Sequence, residues 1–397
     1  MVREMKRFSW DAGLIDILLK EVSVHVFGAG CWGSLVVKGC IFNSINIKTI
    51  IVSDASKNIS EIYKIPVKES SSFSKMDEVV LVAVEGADGI EICNDLENNG
   101  FSKVFLLNTI PIELQGYEFN SQLPRKFYYD EIKLLYWFRT KREINVLKPK
   151  SFNEKLQIIK IRKESEELWK YADKYTVREY VRDLIGDRYL VKLIGEWETV
   201  AQIDFESLPT RFVMKCTHGS GYNYICSDKS IVDKKSVMTQ FDTWMHENYA
   251  YYGFELQYLK IQPRIIAEEY VCDIDSKDTV NDYKIYVFGG KAKYIHVDID
   301  RFGNHRRVFY NSLWERVNIE YTYPNDTDID ISKPDNLNEM IEIAEKLGAD
   351  FCFVRIDLYR TIEGIKFGEM TFSPDCGFGV FSSETVEDEW GEWISEL

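Results

Sequence analysis

The chain has 397 residues, 45% of them hydrophobic and 14% aromatic, which suits two or three folded domains and excludes a disordered chain. A formal net charge of −15 argues against a nucleic-acid partner, and the longest clean apolar run, Val79 to Val84, is far short of the roughly 20 residues a membrane span needs. Charges interrupt the start before any secretory leader, and the eight cysteines form no C-x-x-C pair, so a reduced, cytoplasmic protein is expected.

Residues 21–107 alternate in a parallel α/β rhythm. Strands are expected at 22–27, 48–53, 78–84 and 103–107, with a helix at 88–99 closed by Gly100. The turn Phe27-Gly28-Ala-Gly30-Cys-Trp-Gly33 follows the first strand and opens a helix, and Asp54 ends the next strand about twenty residues on. That is the context of a dinucleotide fingerprint: Gly28, Gly30 and Gly33 let the backbone approach a pyrophosphate at a helix N-terminus, and Asp54 holds ribose hydroxyls. A Rossmann-like domain is therefore expected over residues 1–115. A nucleotide, a nucleotide-linked sugar and a purely structural role all stay open for it.

Residues 116–163 read as a connector, aromatic over 127–138 and basic over 139–163. From Glu164 the chain reads as helical, with Leu168, Tyr171, Ala172, Tyr175, Tyr180, Val181 and Leu184 on one face and Gly186 as the stop. Beyond it come strands at 212–215, 224–226, 264–271, 282–288 and 291–298, helices at 236–249 and 335–347, and a final hairpin over 351–372. This part, residues 164–397, is mixed α+β with antiparallel strands. The fold class is α/β plus α+β.

The final hairpin carries the first chemical signal. Folding it about Thr361–Gly364 sets Asp357 opposite Glu369 and Arg355 opposite Thr371 on one face. Two carboxylates so close repel unless a cation joins them, and Mg²⁺ takes one or two carboxylates and completes its shell with phosphate oxygens and water. The alternative is a surface hairpin in which Arg355 neutralises both acids. The second signal is Phe212-Val-Met-Lys215-Cys-Thr-His218-Gly219-Ser220-Gly221-Tyr222: a strand delivers a lysine, and a loop of small residues offers backbone N–H groups to phosphate. The third is Ile265-Ile-Ala-Glu268-Glu269-Tyr270-Val271, an apolar strand ending in two acids.

In this order the elements resemble an ATP-grasp enzyme and, more narrowly, the TupA-like ATP-grasp family associated with bacterial cell-surface polysaccharide synthesis. The matching stretches are Pro149–Leu156, Asp173–Tyr180, Leu208–Tyr222, Glu268–Tyr270, Asp282–Tyr286, Trp314, Phe353–Leu358 and Gly368–Phe372, spanning about residue 130 to the end. The resemblance implies that Lys174 and Lys215 contact ATP phosphates and that His218, Gly219, Ser220 and Gly221 close over them. It makes Glu268, Glu269, Tyr270 and Val271 the adenine hinge, with Asp273 at the ribose. It has Lys284 and Arg355 neutralise phosphate charge, and Asp357 and Glu369 hold Mg²⁺. Thr371 stands where many ATP-grasp enzymes carry a metal-site Asn, which puts a full two-metal site in doubt.

A carboxylate is a poor electrophile, and phosphorylation supplies its leaving group; positioning and charge neutralisation then do the catalysis. The resemblance so implies an ATP- and Mg²⁺-dependent ligase joining a carboxylate, such as a uronic acid on a nucleotide sugar, to an amine in capsule or surface-glycan synthesis. Arg301, with His305, Arg306 and Arg307, forms a basic cluster suited to an anionic substrate. A phosphotransferase that stops at a phosphorylated product is one alternative, and a NAD-dependent sugar oxidoreductase is another.

Overall fold

The computed structural model describes residues 6–274, 281–299, 306–326, 328–329 and 331–394. Two units, Met1–Ile144 and Asn145–Leu397, each enclose their own core.

In the first unit the strands are β1 (Lys6–Phe8), β2 (Val24–Phe27), β3 (Ile47–Val52), β4 (Glu61–Ile62), β5 (Ile65–Glu69), β6 (Met76–Val82) and β7 (Phe101–Leu107). They lie in the order β1-β7-β6-β2-β3-β5-β4, parallel throughout except for β4 against β5. A parallel sheet is covered on both faces, so its strands are apolar runs without alternation. Val24, Val26, Ile50, Ile51 and Val79 to Val82 are all buried. The chain leaves central β2 for β3 and β5, then returns across it to β6 and β7. The strand order thus reverses between β2 and β6, beside Gly28. Helix Tyr128–Thr140 is fixed to helix Cys31–Phe42 by a buried pair, Lys38 Nζ to Glu131 Oε1 at 2.6 Å, with the Tyr63 hydroxyl donating to Oε2 at 2.5 Å.

The second unit holds two antiparallel sheets. One comprises β8 (Leu193–Trp197), β9 (Phe212–Cys216), β10 (Asn223–Cys226) and β11 (Ile265–Glu269), in the order β10-β9-β11-β8. The other comprises β12 (Asp282–Phe288), β13 (Lys291–Ile299), β14 (Arg306–Asn311), β15 (Phe353–Thr361) and β16 (Gly364–Thr371), in the order β14-β13-β12-β15-β16. Helix Leu337–Gly348 buries Met340, Ile343, Ala344 and Leu347 against Ile285, Val287, Val354 and Ile356 of the second sheet. On the opposite face, helix Phe152–Ile161 starts from a capping box of Ser151 and Glu154 and packs Phe152 edge-on against Trp390 of helix Glu384–Trp393.

Several elements differ from their sequence reading. The helical stretch after Glu164 is a 3-10 turn, Lys163–Leu168, and two short helices, Trp169–Ala172 and Val177–Ile185, ended by Gly186 at φ 102°. Strands β4, β5, β8 and β14 and the last helix have no counterpart in the sequence reading. Of these, β8 is a half-buried edge strand interrupted by Gly195, so it carries no alternating signal. Arg306 and Arg307, read as a hairpin tip or an anion site, begin β14, and Arg307 is buried. Arg301 and His305 lie outside the described residues.

Candidate active site

The hairpin β15–β16 turns on Ile362 and Glu363, with Thr361 opposite Gly364. Continued unbroken, that register sets Asp357 opposite Gly368. A β-bulge after Asp357 shifts it by one, so Asp357 faces Glu369 and Arg355 faces Thr371. A Cβ at Gly368 would stand 3.0 Å from the Asp357 carbonyl oxygen and 3.1 Å from the Tyr359 ring, which is why a glycine fits the bulge. On the other side of β15, Lys284 of β12 is in register with Asp357.

These side chains form one charged cluster. Arg355 donates to Asp357 through Nε to Oδ1 and Nη2 to Oδ2, both at 2.7 Å. Arg355 Nη2 also reaches Glu369 Oε1 at 3.3 Å and Thr371 Oγ1 at 3.1 Å. Lys284 Nζ lies 2.9 Å from Asp357 Oδ2 and 3.2 Å from Asp282 Oδ2. Burial works to raise the Asp357 carboxyl, but the Arg355 and Lys284 charges prevail and hold it well below the usual carboxylate range. Burial likewise disfavours the Arg355 charge, and Asp357 overrides it. The two acids differ in access: the Asp357 side chain is 2% exposed and that of Glu369 35%. Among the described residues no group of three or more His, Cys, Asp or Glu gathers as a metal cage. The donor set is one buried and one accessible carboxylate, which fits a Mg²⁺ that keeps water and phosphate oxygens as its other ligands.

The first sheet brings the lysines. Lys215 on β9 pairs with Glu268 on β11 at 2.7 Å, and Arg178 takes the other oxygen of Glu268 at 2.7 Å. The Lys174 ammonium donates to the Gly219 carbonyl, and its backbone N–H donates to Thr217. Burial lowers the Lys174 pKa against the pull of Glu369, while nearby Lys215 lowers it further. In the loop, His218 is buried and donates from Nε2 to the Trp244 carbonyl at 2.9 Å; burial lowers its pKa and keeps the ring neutral. Gly219 lies where a Cβ would come within 2.8 Å of Tyr249, and Gly221 has φ 77°. Beyond Glu268, Glu269 pairs with exposed Lys192 at 2.5 Å, Tyr270 lies under the Arg211 guanidinium at 3.9 Å, and half-buried Val271 continues the segment. Asp273 is buried, bridges to Thr361 and accepts the Asn281 N–H at 2.9 Å.

A cavity of about 430 Å³ joins these parts. One group of its lining residues is Ser220, Lys284, Arg355, Glu369 and Thr371; a second is Tyr249, Glu255, Tyr258, Asp298, Arg307 and Asp375. Of the second group only Arg307 stood out in the sequence reading, as part of the basic cluster. Arg307 grips Asp298 with two hydrogen bonds, at 2.7 and 3.1 Å. Burial alone would raise the Asp298 carboxyl; its neighbours His296 and Arg307 hold it far below the ordinary range. His296 beside it is buried and lowered to about 3, so it is neutral. The only signals for Asp298 and Arg307 were an alternating strand and an arginine run, and neither says which side chains face inward.

In the first unit, Gly28 has φ 115°, Gly30 caps helix Cys31–Phe42, and a Cβ on Gly33 would lie 1.9 Å from the Gly28 carbonyl oxygen. The close approach of turn and helix that the fingerprint requires is thus present. Asp54 sits past the end of neighbouring β3 and accepts from the Ser56 N–H at 3.0 Å and its hydroxyl at 2.6 Å. The Ser56 hydrogen bonds and Lys57 lower it to about 2.

Two antiparallel sheets that carry lysines on one side and a carboxylate pair on the other define an ATP-grasp fold. The family model described as TupA-like ATP-grasp matches residues 154–395, and the chain belongs to that family. No curated protein matches the chain in sequence. Among solved structures it is similar to D-alanine–D-alanine ligase from Bacillus anthracis, at 12% identity over 89% of this chain and 86% of that one, with a TM-score of 0.29. It is also similar to phosphoribosylamine–glycine ligase from Thermotoga maritima, at 10% identity over 90% and 71%, TM-score 0.34. Biotin carboxylase from Campylobacter jejuni matches at 11% identity over 95% and 70%, TM-score 0.33. Likenesses of this strength bear on none of the residue roles. Family membership makes the chain an ATP-dependent enzyme of the ligase type that acts on small molecules. No helix among the described residues is long and apolar enough to cross a membrane.

Proposed function

We propose that the protein activates a carboxylate as an acyl-phosphate and joins it to an amine, with a uronic acid, free or on a nucleotide sugar, as the carboxylate, in the cytoplasmic synthesis of a capsule or other surface glycan. The observation that carries this reading is the gathering of Lys284, Arg355 and Glu369 around one cavity, with the Lys174 ammonium under the pull of the same Glu369. In this reading MgATP, when bound, supplies the phosphoryl group that turns the carboxylate into an electrophile. Asp357 and Glu369 hold the metal. Lys174, Lys215 and the loop His218 to Gly221 hold the phosphates, with the loop's packed glycines bringing backbone N–H groups close. Glu268 to Val271 form the adenine hinge, with Asp273 at the ribose. Lys284 and Arg355, already fixed by Asp357, neutralise charge on the moving phosphoryl group without reorganising. Arg301 belongs to this set as a substrate-binding residue by its place in the sequence alone.

For the first unit we propose a nucleotide or nucleotide-sugar site at the Gly28–Gly33 turn. Support comes from its place beside the reversal of strand order, where open parallel sheets bind ligands. The purified protein, given MgATP, glucuronate or UDP-glucuronate, and hydroxylamine as the trapping amine, should release ADP and phosphate and form a hydroxamate. ADP with a stable phosphorylated product and no free phosphate would instead establish a phosphotransferase.

A further inference from the structure

Glu255 is 6% exposed and lines the cavity together with Lys284 and Arg355, with neither of which it forms an ion pair. It stands between the short helix Ala250–Gly253 and the turn Leu256–Tyr258, held there by Phe254 in the left-handed region at φ 57°. Its Oε1 accepts from the Ser373 hydroxyl at 2.5 Å and from Gln257 Nε2 at 3.3 Å, and the Cys376 thiol is a further hydrogen-bonding neighbour of the carboxylate. The nearest cation is Lys160, and it is spent elsewhere: its ammonium donates to the Cys376 carbonyl at 2.8 Å and to the Cys376 sulfur at 3.3 Å. No lysine, arginine or histidine among the described residues forms an ion pair with Glu255.

A buried carboxylate without a contacting cation is costly, and it is relieved by taking a proton or by receiving a cation from outside. Both options suit one ligand. Tyr249 and Tyr258, at 5.0 Å centroid to centroid, flank the same part of the cavity, and aromatic faces attract an ammonium. The other titratable group facing Glu255 is Cys376. Burial raises the Glu255 carboxyl above the ordinary range, toward where a proton acceptor works at neutral pH.

We infer that Glu255 is the acceptor-side catalytic residue, binding the ammonium of a primary-amine substrate and taking its proton. This rests on the ligase reading. The ammonium gives one proton to the Glu255 carboxylate, and the freed nitrogen lone pair attacks the acyl carbon. The C–N bond forms as the C–O bond to phosphate breaks; phosphate leaves with that electron pair and carries away the second nitrogen proton. The site separates the two substrates by charge, with anions held at Lys284 and Arg355 and the amine at Glu255.

The test is thermal stability of the protein saturated with Mg²⁺ and the non-hydrolysable analogue AMP-PNP, screened with the proteinogenic amino acids, ethanolamine, glucosamine and galactosamine, each against its N-acetyl form. At least one primary amine should raise the melting temperature where its N-acetyl form does not. Glu255→Gln should weaken that effect roughly ten- to a hundredfold, the loss of one charged hydrogen bond. Glu255→Asp should retain part of it, and it decides the matter if the Gln variant does not fold. No response to any amine, or an equal response in Glu255→Gln, overturns the assignment while MgAMP-PNP binding leaves the ligase reading standing. Failure of the wild type to bind MgAMP-PNP removes both.

Discussion

Asp357 and Glu369 face each other across one hairpin, yet their substitution should have unequal consequences for stability. Asp357 is buried and accepts from both Arg355 and Lys284, so Asp357→Asn leaves two buried cations without their shared anion. Removing one partner of a buried pair costs about 3–5 kcal/mol. Glu369 is about one-third exposed and meets Arg355 at 3.3 Å, so Glu369→Gln should cost no more than about 1 kcal/mol. At about 2–4 °C per kcal/mol for a domain of this size, the Asn variant should melt roughly 6–20 °C lower and the Gln variant within a few degrees of wild type. Both should lose Mg²⁺-dependent ATP binding. Calorimetry, followed by titration of ATP with and without Mg²⁺, measures the two effects on the same samples. Equal melting of wild type and Asp357→Asn, or an equal fall in the two variants, would refute the division of the pair into a buried anchor and an accessible ligand. Mg²⁺-dependent ATP binding that survives in Glu369→Gln would remove that residue from the metal site.

Three further outcomes are expected. Gly33→Ala forces a methyl group onto the Gly28 carbonyl, which no rotamer relieves, so the first unit should lose at least about 1–3 kcal/mol while ATP binding by the second is unchanged; a wild-type melting profile would contradict the close turn. Lys38→Met strands the buried Glu131 carboxylate and should cost about 3–5 kcal/mol, and Lys38→Met with Glu131→Leu should recover most of it; urea midpoints of the three proteins decide this. The His296 pKa is lowered to about 3 by burial first and then by Arg307, so the unfolded chain takes up a proton near its ordinary pKa of 6.5 that the folded chain refuses. The linkage contributes nothing above about pH 6.5 and destabilises the folded chain by about 1.4 kcal/mol per pH unit as pH falls from there toward 3, so His296→Gln should flatten the acid limb of stability, and an unchanged slope would refute it.

The parallel sheet was legible because burial on both faces demands unbroken apolar runs, and 79–82 is one. The glycine turn was legible for a similar reason: Gly28 needs φ 115° and Gly33 has no room for a Cβ, so backbone geometry dictates residue type directly. The ATP-grasp elements were legible as ordered motifs, and the pairing of Asp357 with Glu369 was anticipated from the hairpin. That pairing depends on more than the turn, however. The two-residue loop alone would oppose Asp357 to Gly368, and only the bulge brings Glu369 into place.

What sequence could not supply is which distant side chains share a wall. Glu255 follows a short helix and meets Ser373, 118 positions away, and Arg307 meets Asp298 because β13 and β14 are neighbours. Local pattern fixes the face a strand buries, since successive side chains alternate, but it carries no information on what stands opposite. The cavity exists only where two sheets, a short helix and the segment after β16 converge, and that convergence is set by packing across the whole unit.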